Sequence, residues 1–184
     1  MSYTALKVNI AHNNVMQHNI ALHRTCLEQL NQFIATLDTA HYIFNDEHTS
    51  SIGMHIRHII EFYQELLRSA DITATHICYD DRKRCMELEN NPSFASETIN
   101  HVIKQLDTLV YLSDKAIILS CMSADGNYHN MPSTMIREAY FVHDHTTHHM
   151  AIIAMLARAL NIMIDSKFGV AQATLRHKRN NTKH

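Results

Sequence analysis

Apolar residues recur every three or four positions over most of the chain, which is the spacing of amphipathic helices. A first helix is expected over about residues 6–37. One of its faces carries a seam suited to packing against other helices, formed by Met16, Ile20, His23, Leu27, Leu30, Ile34 and Leu37. His23 interrupts this seam, and we expect it to be a hydrogen-bonded histidine at the edge of the core.

The same periodicity predicts three further helices. They are expected over about residues 51–69, 94–120 and 132–161, and the first of them has three candidate N-caps, Thr49, Ser50 and Ser51. Four helices joined by three substantial connections predict an all-α fold, a four-helix bundle. A ferritin-like bundle is an alternative, but the E-x-x-H motifs that it requires are absent from the sequence.

Length and composition agree with a single helical domain. The chain has 184 residues, with an expected core over about residues 6–161 and a C-terminal tail over residues 162–184. Only 3 glycines and 2 prolines are present, which favours long helices over many short strands. The formal net charge of −2 provides no basic field for nucleic acid, so we expect no nucleic-acid partner.

The cysteines and the apolar runs bear on localisation. Cys26, Cys78, Cys85 and Cys121 form no C-x-x-C pair, and no secretory signal opens the sequence. No apolar run reaches the length that spans a membrane. We therefore expect a cytoplasmic protein with reduced thiols and no membrane partner.

The fourth predicted helix carries the densest chemistry, with His143, His145, His148 and His149 inside seven residues. His145 and His149 are four apart, so they share one helical face and can hold one metal ion together. His148 lies at the flank of that face. His143 projects from the opposite side, where we expect it at the surface or in an interface.

A metal ion would need a further ligand, and the best candidates lie in residues 51–61. His58 faces a partly polar interior, which suits a ligand, although His55 lies one turn away and competes with it. Three histidines and a water form the open geometry of a catalytic zinc site. The alternative without metal has the rings of His145 and His149 hydrogen-bonded in the core. Thr146 stands where an H-E-x-x-H protease needs Glu, so that class is disfavoured.

Two other features are candidate parts of such a site. Glu138 lies seven residues before His145 on the same helical face, so it could orient a ligand imidazole or act as a general base. Residues 79–84 alternate in charge, which usually indicates a solvated or self-paired loop. The functional alternative is a gate beside the site, in which Arg82 or Arg84 meets an anionic substrate.

Taken in order, these motifs resemble the DinB/YfiT-like superfamily of metal-binding helical proteins. The resemblance covers about residues 50–175 and rests on the order and spacing of several modest motifs. They are Ser51-Ile52-Gly53 before His58, the 79–84 connection, Arg137-Glu138, His145-x-x-His148-His149 and Phe168-Gly169-Val170-Ala171.

The resemblance implies an up-down-down-up four-helix bundle that is often a homodimer. It also implies a divalent metal, zinc or nickel, held by His58, His145 and His149. Members with known activity include transferases and isomerases that use low-molecular-weight thiols, although no residue of this chain identifies a thiol site. We therefore expect a metal-dependent transferase or hydrolase acting on a small molecule. The alternative is a non-catalytic metal-binding or stress-response module, and the sequence leaves open whether the chain is an enzyme.

The fourth helix also bears on the oligomeric state. Several apolar residues lie away from its ligand face: Ile136, Tyr140, Met150, Ala151 and Ala154. They exceed what a solvated face needs, so a homodimer partner could cover them. The alternative is that the first helix or the C-terminal tail covers them instead.

Overall fold

Helices make up most of the structure. A computed structural model describes residues 3–46, 49–71, 73–112 and 115–181. The helices are α1 (Tyr3–Ile34), α2 (Thr39–Ile43), α3 (Ile52–Arg68), α4 (Met86–Asn90), α5 (Pro92–Gln105), α6 (Met135–Ala159) and α7 (Gln172–Asn181). A 3₁₀ helix, Leu106–Leu112, continues directly from α5.

Side-chain caps fix where the helices begin. Ser51 accepts a hydrogen bond from the backbone N–H of Met54 at 3.0 Å, which confirms it as the N-cap of α3. Asn91 caps α5 in the same way, ahead of Pro92 in the first turn. Thr134 caps α6. α3 and α5 thus begin within two residues of their predicted starts. The fourth predicted helix was expected from about residue 132, but residues 128–134 form a strand and α6 begins at Met135.

A small sheet occupies a region predicted as helix and connection. Its strands are β1 (His76–Ile77), β2 (Ala116–Met122) and β3 (Tyr128–Thr134), in the order β1-β2-β3. β1 pairs with β2 in parallel, and β2 and β3 form an antiparallel hairpin in which Ala116 faces Thr134. Gly126 closes the hairpin with a φ of 83°, which glycine adopts without steric strain.

The sheet shows that the all-α prediction was wrong in this region. The third predicted helix was expected to run to about residue 120, but α5 ends at Gln105 and residues 116–122 form a strand. The apolar run from Ile117 to Leu119 is too short for its period to separate helix from strand, and its two isoleucines favour a strand.

The long helices form most of the core. α3 packs against α5 and α6, and α1 also packs against α5 and α6. The predicted seam of α1 is confirmed as core, because Met16, Ile20, Leu27, Leu30 and Ile34 are all buried. The packing of α3 against α6 also brings histidines of these two helices together.

His23 and His143 form a buried histidine pair between α1, α3 and α6. His23 is fully buried and hydrogen-bonded, as expected, with Nδ1 2.7 Å from the Tyr63 hydroxyl and Nε2 2.9 Å from Asn19 Oδ1. His143 was expected at the surface or in an interface, but it is buried within the chain and only 7% exposed. Its Nε2 lies 3.7 Å from Cys26 Sγ, because α1 covers this side of α6.

Part of the apolar α6 face that suggested a homodimer is covered by other residues of the same chain. Met150 and Ala154 are 1% and 2% exposed within one chain. Gly169 of the tail, with a φ of 67°, lies so close to the backbone of Met150 and Ala151 that a larger residue would overlap it. These contacts match the alternative in which the tail provides cover. Tyr140 remains 39% exposed.

The structure also bears on the cysteines and on whether a helix could span a membrane. All four cysteines are free, and burial raises the pKa of the Cys26 thiol to about 11, which leaves it protonated and unreactive. Among the described residues, none of the helices combines the length and apolarity needed to span a bilayer.

Candidate metal centre

α3 positions one histidine of the candidate centre. Its apolar residues Ile56, Ile59 and Ile60 are fully buried, and this packing fixes the rotation of the helix. His58 consequently lies on the side of α3 that meets α6 and is half-buried there. The ring of His58 packs 4.6 Å from the ring of Phe62, one turn later on the same helix.

α6 positions the other two histidines. Val142, Thr146 and Ile153 are buried and fix its orientation, so that His145 and His149 project from one face toward α3. Thr146 donates its hydroxyl to the carbonyl of Val142 at 2.7 Å, which satisfies a buried polar group without involving the histidines.

The three histidines converge as the ligand group predicted from the family resemblance. His58, His145 and His149 each offer one ligand atom, and these atoms all lie within 4.8 Å of one another. The closest pair is Nε2 of His58 and Nε2 of His145, which are 2.8 Å apart. Two ligands of one zinc ion are separated by about 3.3 Å when each Zn–N bond is about 2.0–2.1 Å. To surround an ion, this closest pair must therefore move apart by about 0.5 Å, and any pair wider than about 3.3 Å must move together.

The electrostatic environment keeps all three rings neutral. Burial, together with repulsion from Arg82 and the neighbouring histidines, lowers the pKa of His58 to about 3. Burial and His145 lower the pKa of His149 to about 3, and burial and His148 lower that of His145 to about 4. A neutral imidazole has the free lone pair that a metal requires. The donor set thus fits a divalent metal at neutral pH.

Two further histidines border this triad. Nδ1 of His55 lies 2.9 Å from Nδ1 of His149, so these two atoms share one proton in a hydrogen bond. Because this contact uses Nδ1 of His149, its Nε2 remains available to a metal, and His55 can orient the ring of His149 from the other side. His148 is exposed, with its ring 5.3 Å from that of His149.

The structure brings Arg82 to the triad and leaves Arg84 exposed. Nη2 of Arg82 lies 2.8 Å from Nδ1 of His58, and Nη1 donates to the carbonyl of Tyr79. The guanidinium also lies over the ring of Phe62 at 4.6 Å. Arg82 is therefore in direct contact with a candidate ligand, and its role in meeting an anionic substrate remains a prediction.

The hairpin holds the segment that carries Arg82. Asp80 accepts a hydrogen bond from the backbone N–H of Met122 at 2.9 Å, and Asp81 accepts one from the hydroxyl of Tyr128. The two aspartates thus attach the charged connection to β2 and β3. The connection is therefore anchored to the sheet, while four of its six residues remain exposed, as expected for a solvated loop: Asp80, Asp81, Lys83 and Arg84.

Sequence reasoning missed a buried acidic residue next to this contact. Glu61 is 2% exposed, with Oε1 2.9 Å from the backbone N of Cys85 and Oε2 3.4 Å from Nε of Arg82. Arg57 lies 3.7 Å from Glu61 and 2.6 Å from Glu89. The four-residue spacing of Arg57 and Glu61 on a helix was the available signal.

Aromatic rings border one side of the triad. Phe62 stacks on His145 with ring centres 4.2 Å apart, and Tyr79 stacks on the same phenylalanine at 4.7 Å. Phe141 lies 5.6 Å from His145. These rings shield one side of the histidines from solvent, which lowers the local dielectric and strengthens interactions with charge at the site.

Glu138 is fully buried in the first turns of α6. Its Oε1 accepts hydrogen bonds from the Ser133 hydroxyl and from Arg137 Nη1, the latter at 2.8 Å. Burial raises the pKa of Tyr79, and the negative charge of Glu138 raises it further. These contacts place Glu138 behind the aromatic residues, and its role as a general base remains a prediction.

Comparisons with known proteins give limited information about this chain. No protein-family model matches it, and no solved structure matches it. It is similar to FK506-binding protein 5 of Rhizopus delemar, with 30% identity over 106 residues. That match covers 56% of this chain and 28% of the relative, so the chain spans less than a third of that protein's length.

Proposed function

We propose that this chain binds a divalent metal ion through His58, His145 and His149 and uses it in a reaction on a small molecule. The observation that supports this proposal is the convergence of three imidazoles from two helices, with ligand atoms within 4.8 Å of one another. Their lowered pKa values keep the rings available as ligands at neutral pH.

Zinc and nickel both suit a site of three imidazoles. When bound with an open position, such an ion lowers the pKa of a coordinated water or thiol toward neutrality. His55 would orient His149 through their shared proton, and the aromatic residues would exclude water from one side. Arg82 would attract an anionic substrate, with the exposed Arg84 as a second contact on the same connection.

The proposed reaction class is a transferase or hydrolase, with a low-molecular-weight thiol as a candidate co-substrate. The packing of α1, α3, α5 and α6 supports a four-helix bundle of DinB/YfiT-like type as the proposed fold family. A homodimer is part of the same proposal. Its support is reduced to the exposed part of the α6 face, because Met150 is already buried within the chain and Gly169 of the tail lies against the α6 backbone there.

The first test is metal content. The protein would be purified without a nickel column, loaded with zinc, dialysed and analysed by plasma mass spectrometry. His58→Ala, His145→Ala and His149→Ala should each lose most of the metal, because two remaining imidazoles bind far more weakly than three. His101→Ala is the matched control, since this histidine is exposed on α5. Full occupancy in all three ligand variants would show that the site is misassigned.

A second experiment separates an enzyme from a metal-binding module. Metal-loaded protein would be incubated with a panel of small thiols and electrophilic acceptors, with and without chelator. Turnover that disappears with chelator and in His145→Ala supports the enzyme. Stoichiometric metal binding without turnover across the panel favours the non-catalytic module, in which His148 or another group closes the open position.

A further inference from the structure

Arg82 and a metal ion compete for the same histidine. Every hydrogen-bonding group of a guanidinium is a donor, so the 2.8 Å contact requires Nδ1 of His58 to be the acceptor. The proton of neutral His58 is then on Nε2, which faces Nε2 of His145 at 2.8 Å. Donation runs from Arg82 to His58 and on to His145. Neither nitrogen of His58 keeps a free lone pair in this arrangement.

Metal binding therefore requires Arg82 to leave His58. If His58 binds through Nε2, its proton must move to Nδ1, and an N–H cannot face the guanidinium donor. If His58 binds through Nδ1, the ion takes the place that Arg82 occupies. Electrostatics act in the same direction, since a dication and a guanidinium repel each other in a half-buried site.

A second partner for Arg82 lies beside the first. Nε of Arg82 and Oε2 of Glu61 form an ion pair at 3.4 Å, but these two buried atoms do not meet hydrogen-bond geometry. A small shift that shortens this ion pair into a charged hydrogen bond is therefore stabilising. The flat face of Phe62 lies under the guanidinium and allows this shift while their contact is kept.

The charges around Arg82 indicate what would bind there next. Arg57 and Arg82 are already matched by Glu61 and Glu89 through contacts of 2.6–3.7 Å. Three neutral imidazoles add no negative charge, so the two charges of a bound metal ion are uncompensated. A small anion would supply that charge, and Nη2 of Arg82, once released from His58, is a donor free to bind it.

We propose that Arg82 is a switch that leaves His58 for Glu61 when the triad takes up a divalent metal. Its freed Nη2 then binds a small carboxylate or related oxyanion at the same site. Metal and anion consequently bind cooperatively, through a residue that opposes metal loading in the absence of the anion. This inference rests on the proposed metal function and assigns its substrate class.

The test is a zinc titration against a competing chelator, in chloride and in acetate at equal ionic strength. Arg82→Gln should bind zinc about tenfold more tightly than wild type in chloride, because the charged hydrogen bond to His58 is lost. Acetate should tighten zinc binding to wild type severalfold and leave Arg82→Gln unchanged. Lys83→Gln is the matched control, since it removes one exposed positive charge from the same connection and should behave as wild type.

A measurement on the wild-type protein guards against misfolding of the variant. Proton exchange of the Arg82 Nε–H, assigned by its absence in Arg82→Lys, should slow about tenfold on zinc addition as Nε joins Glu61. Unchanged exchange would overturn the switch. Equal or weaker zinc binding by folded Arg82→Gln would also overturn it, while the proposed metal function would stand.

The remaining outcomes are equally decisive. Acetate that tightens zinc binding equally in both proteins overturns the role of Arg82 in anion binding. If Arg82→Gln binds zinc and wild type does not, Arg82 blocks metal binding completely in the absence of an anion, which supports the switch. Absence of zinc binding by wild type and Arg82→Gln overturns both the switch and the proposed metal function.

Discussion

The neighbour of each histidine determines what that histidine can do. His58 accepts from Arg82 and donates to His145, whereas His149 shares a proton with His55. His148 is exposed at the edge of the group. Five similar side chains thus divide into three candidate ligands, one orienting residue and one peripheral residue, because hydrogen-bond partners fix tautomers.

The orienting role of His55 gives a prediction at the residue scale. His55→Phe keeps an aromatic ring but removes the acceptor for the Nδ1–H of His149. Zinc affinity should fall about 10–100-fold, the usual effect of losing such a partner, while the triad remains intact. Competition with a chelator measures the affinity, and His101→Phe is the exposed control. Unchanged affinity would remove the orienting role. Loss as complete as in His145→Ala would make His55 a ligand itself.

The sequence could predict part of the candidate site for a clear physical reason. His145 and His149 belong together because four residues make one helical turn, and that spacing requires no tertiary information. The contact of His58 with them depends on how α3 packs on α6, and only the family resemblance identified it. The spacing of Arg57 and Glu61 was a local signal for Glu61, but its contact with Arg82 joins residues 21 apart, a separation that no helical period encodes.

At the scale of elements, α3 is positioned by a close contact at its first turn. Gly53 is buried there, and a Cβ atom at this position would overlap the carbonyl oxygen of Glu89 and lie 2.7 Å from Cε1 of Tyr42. Tyr42 in turn donates its hydroxyl to the carbonyl of Leu88 at 2.6 Å. α2, α4 and the start of α3 therefore meet at a point where only glycine fits.

This contact predicts that Gly53→Ala destabilises the protein although alanine favours helices. Overlap with backbone is expected to outweigh the helical preference of about 1 kcal/mol, giving a net loss of about 1–3 kcal/mol. Gly53→Val should lose more. Urea unfolding measures both variants. Gly126→Ala shows the cost of backbone strain without overlap, because Gly126 has a φ of 83° and open space around it. If Gly53→Ala is as stable as wild type or more stable, the prediction is wrong, and α4 must move to accommodate the added Cβ atom.

The β2–β3 hairpin was not predicted from the sequence, whereas the starts of two helices were. The capped starts of α3 and α5 were predictable because the caps are local. The strand β2 was not, because its pairing with β1 joins Ile77 and Leu119, which are far apart in the sequence. The charged connection became interpretable only with this sheet, since Asp80 and Asp81 attach it to the hairpin.

At the scale of the whole molecule, buried neutral histidines lie on both sides of α6. The triad occupies the side toward α3, and His143 and His23 occupy the side toward α1. Burial and repulsion from His143 lower the pKa of His23 from its usual 6.5 to about 3. Burial also lowers the pKa of His55 and His143. Folding therefore keeps several histidines uncharged that would be protonated in the unfolded chain at mildly acidic pH.

The last prediction follows from this difference between folded and unfolded states. A folded pKa below the unfolded value of 6.5 means that the unfolded chain binds more protons between about pH 3 and pH 6.5. The free energy of unfolding should thus fall as the pH drops from 7 to 4.5, by up to about 1.4 kcal/mol per pH unit for each such histidine. Urea unfolding of chelator-treated protein measures this slope without a contribution from bound metal.

His23→Gln isolates one contribution, because His23 is enclosed and hydrogen-bonded to Tyr63 and Asn19, away from the triad. Glutamine preserves a polar group but cannot take up a proton on unfolding. The variant should be less stable than wild type at pH 7 and should lose stability more slowly on acidification, with about one proton fewer taken up. An identical slope in both proteins would mean that His23 is already protonated in the folded state. That result would remove desolvation as the dominant influence on this histidine.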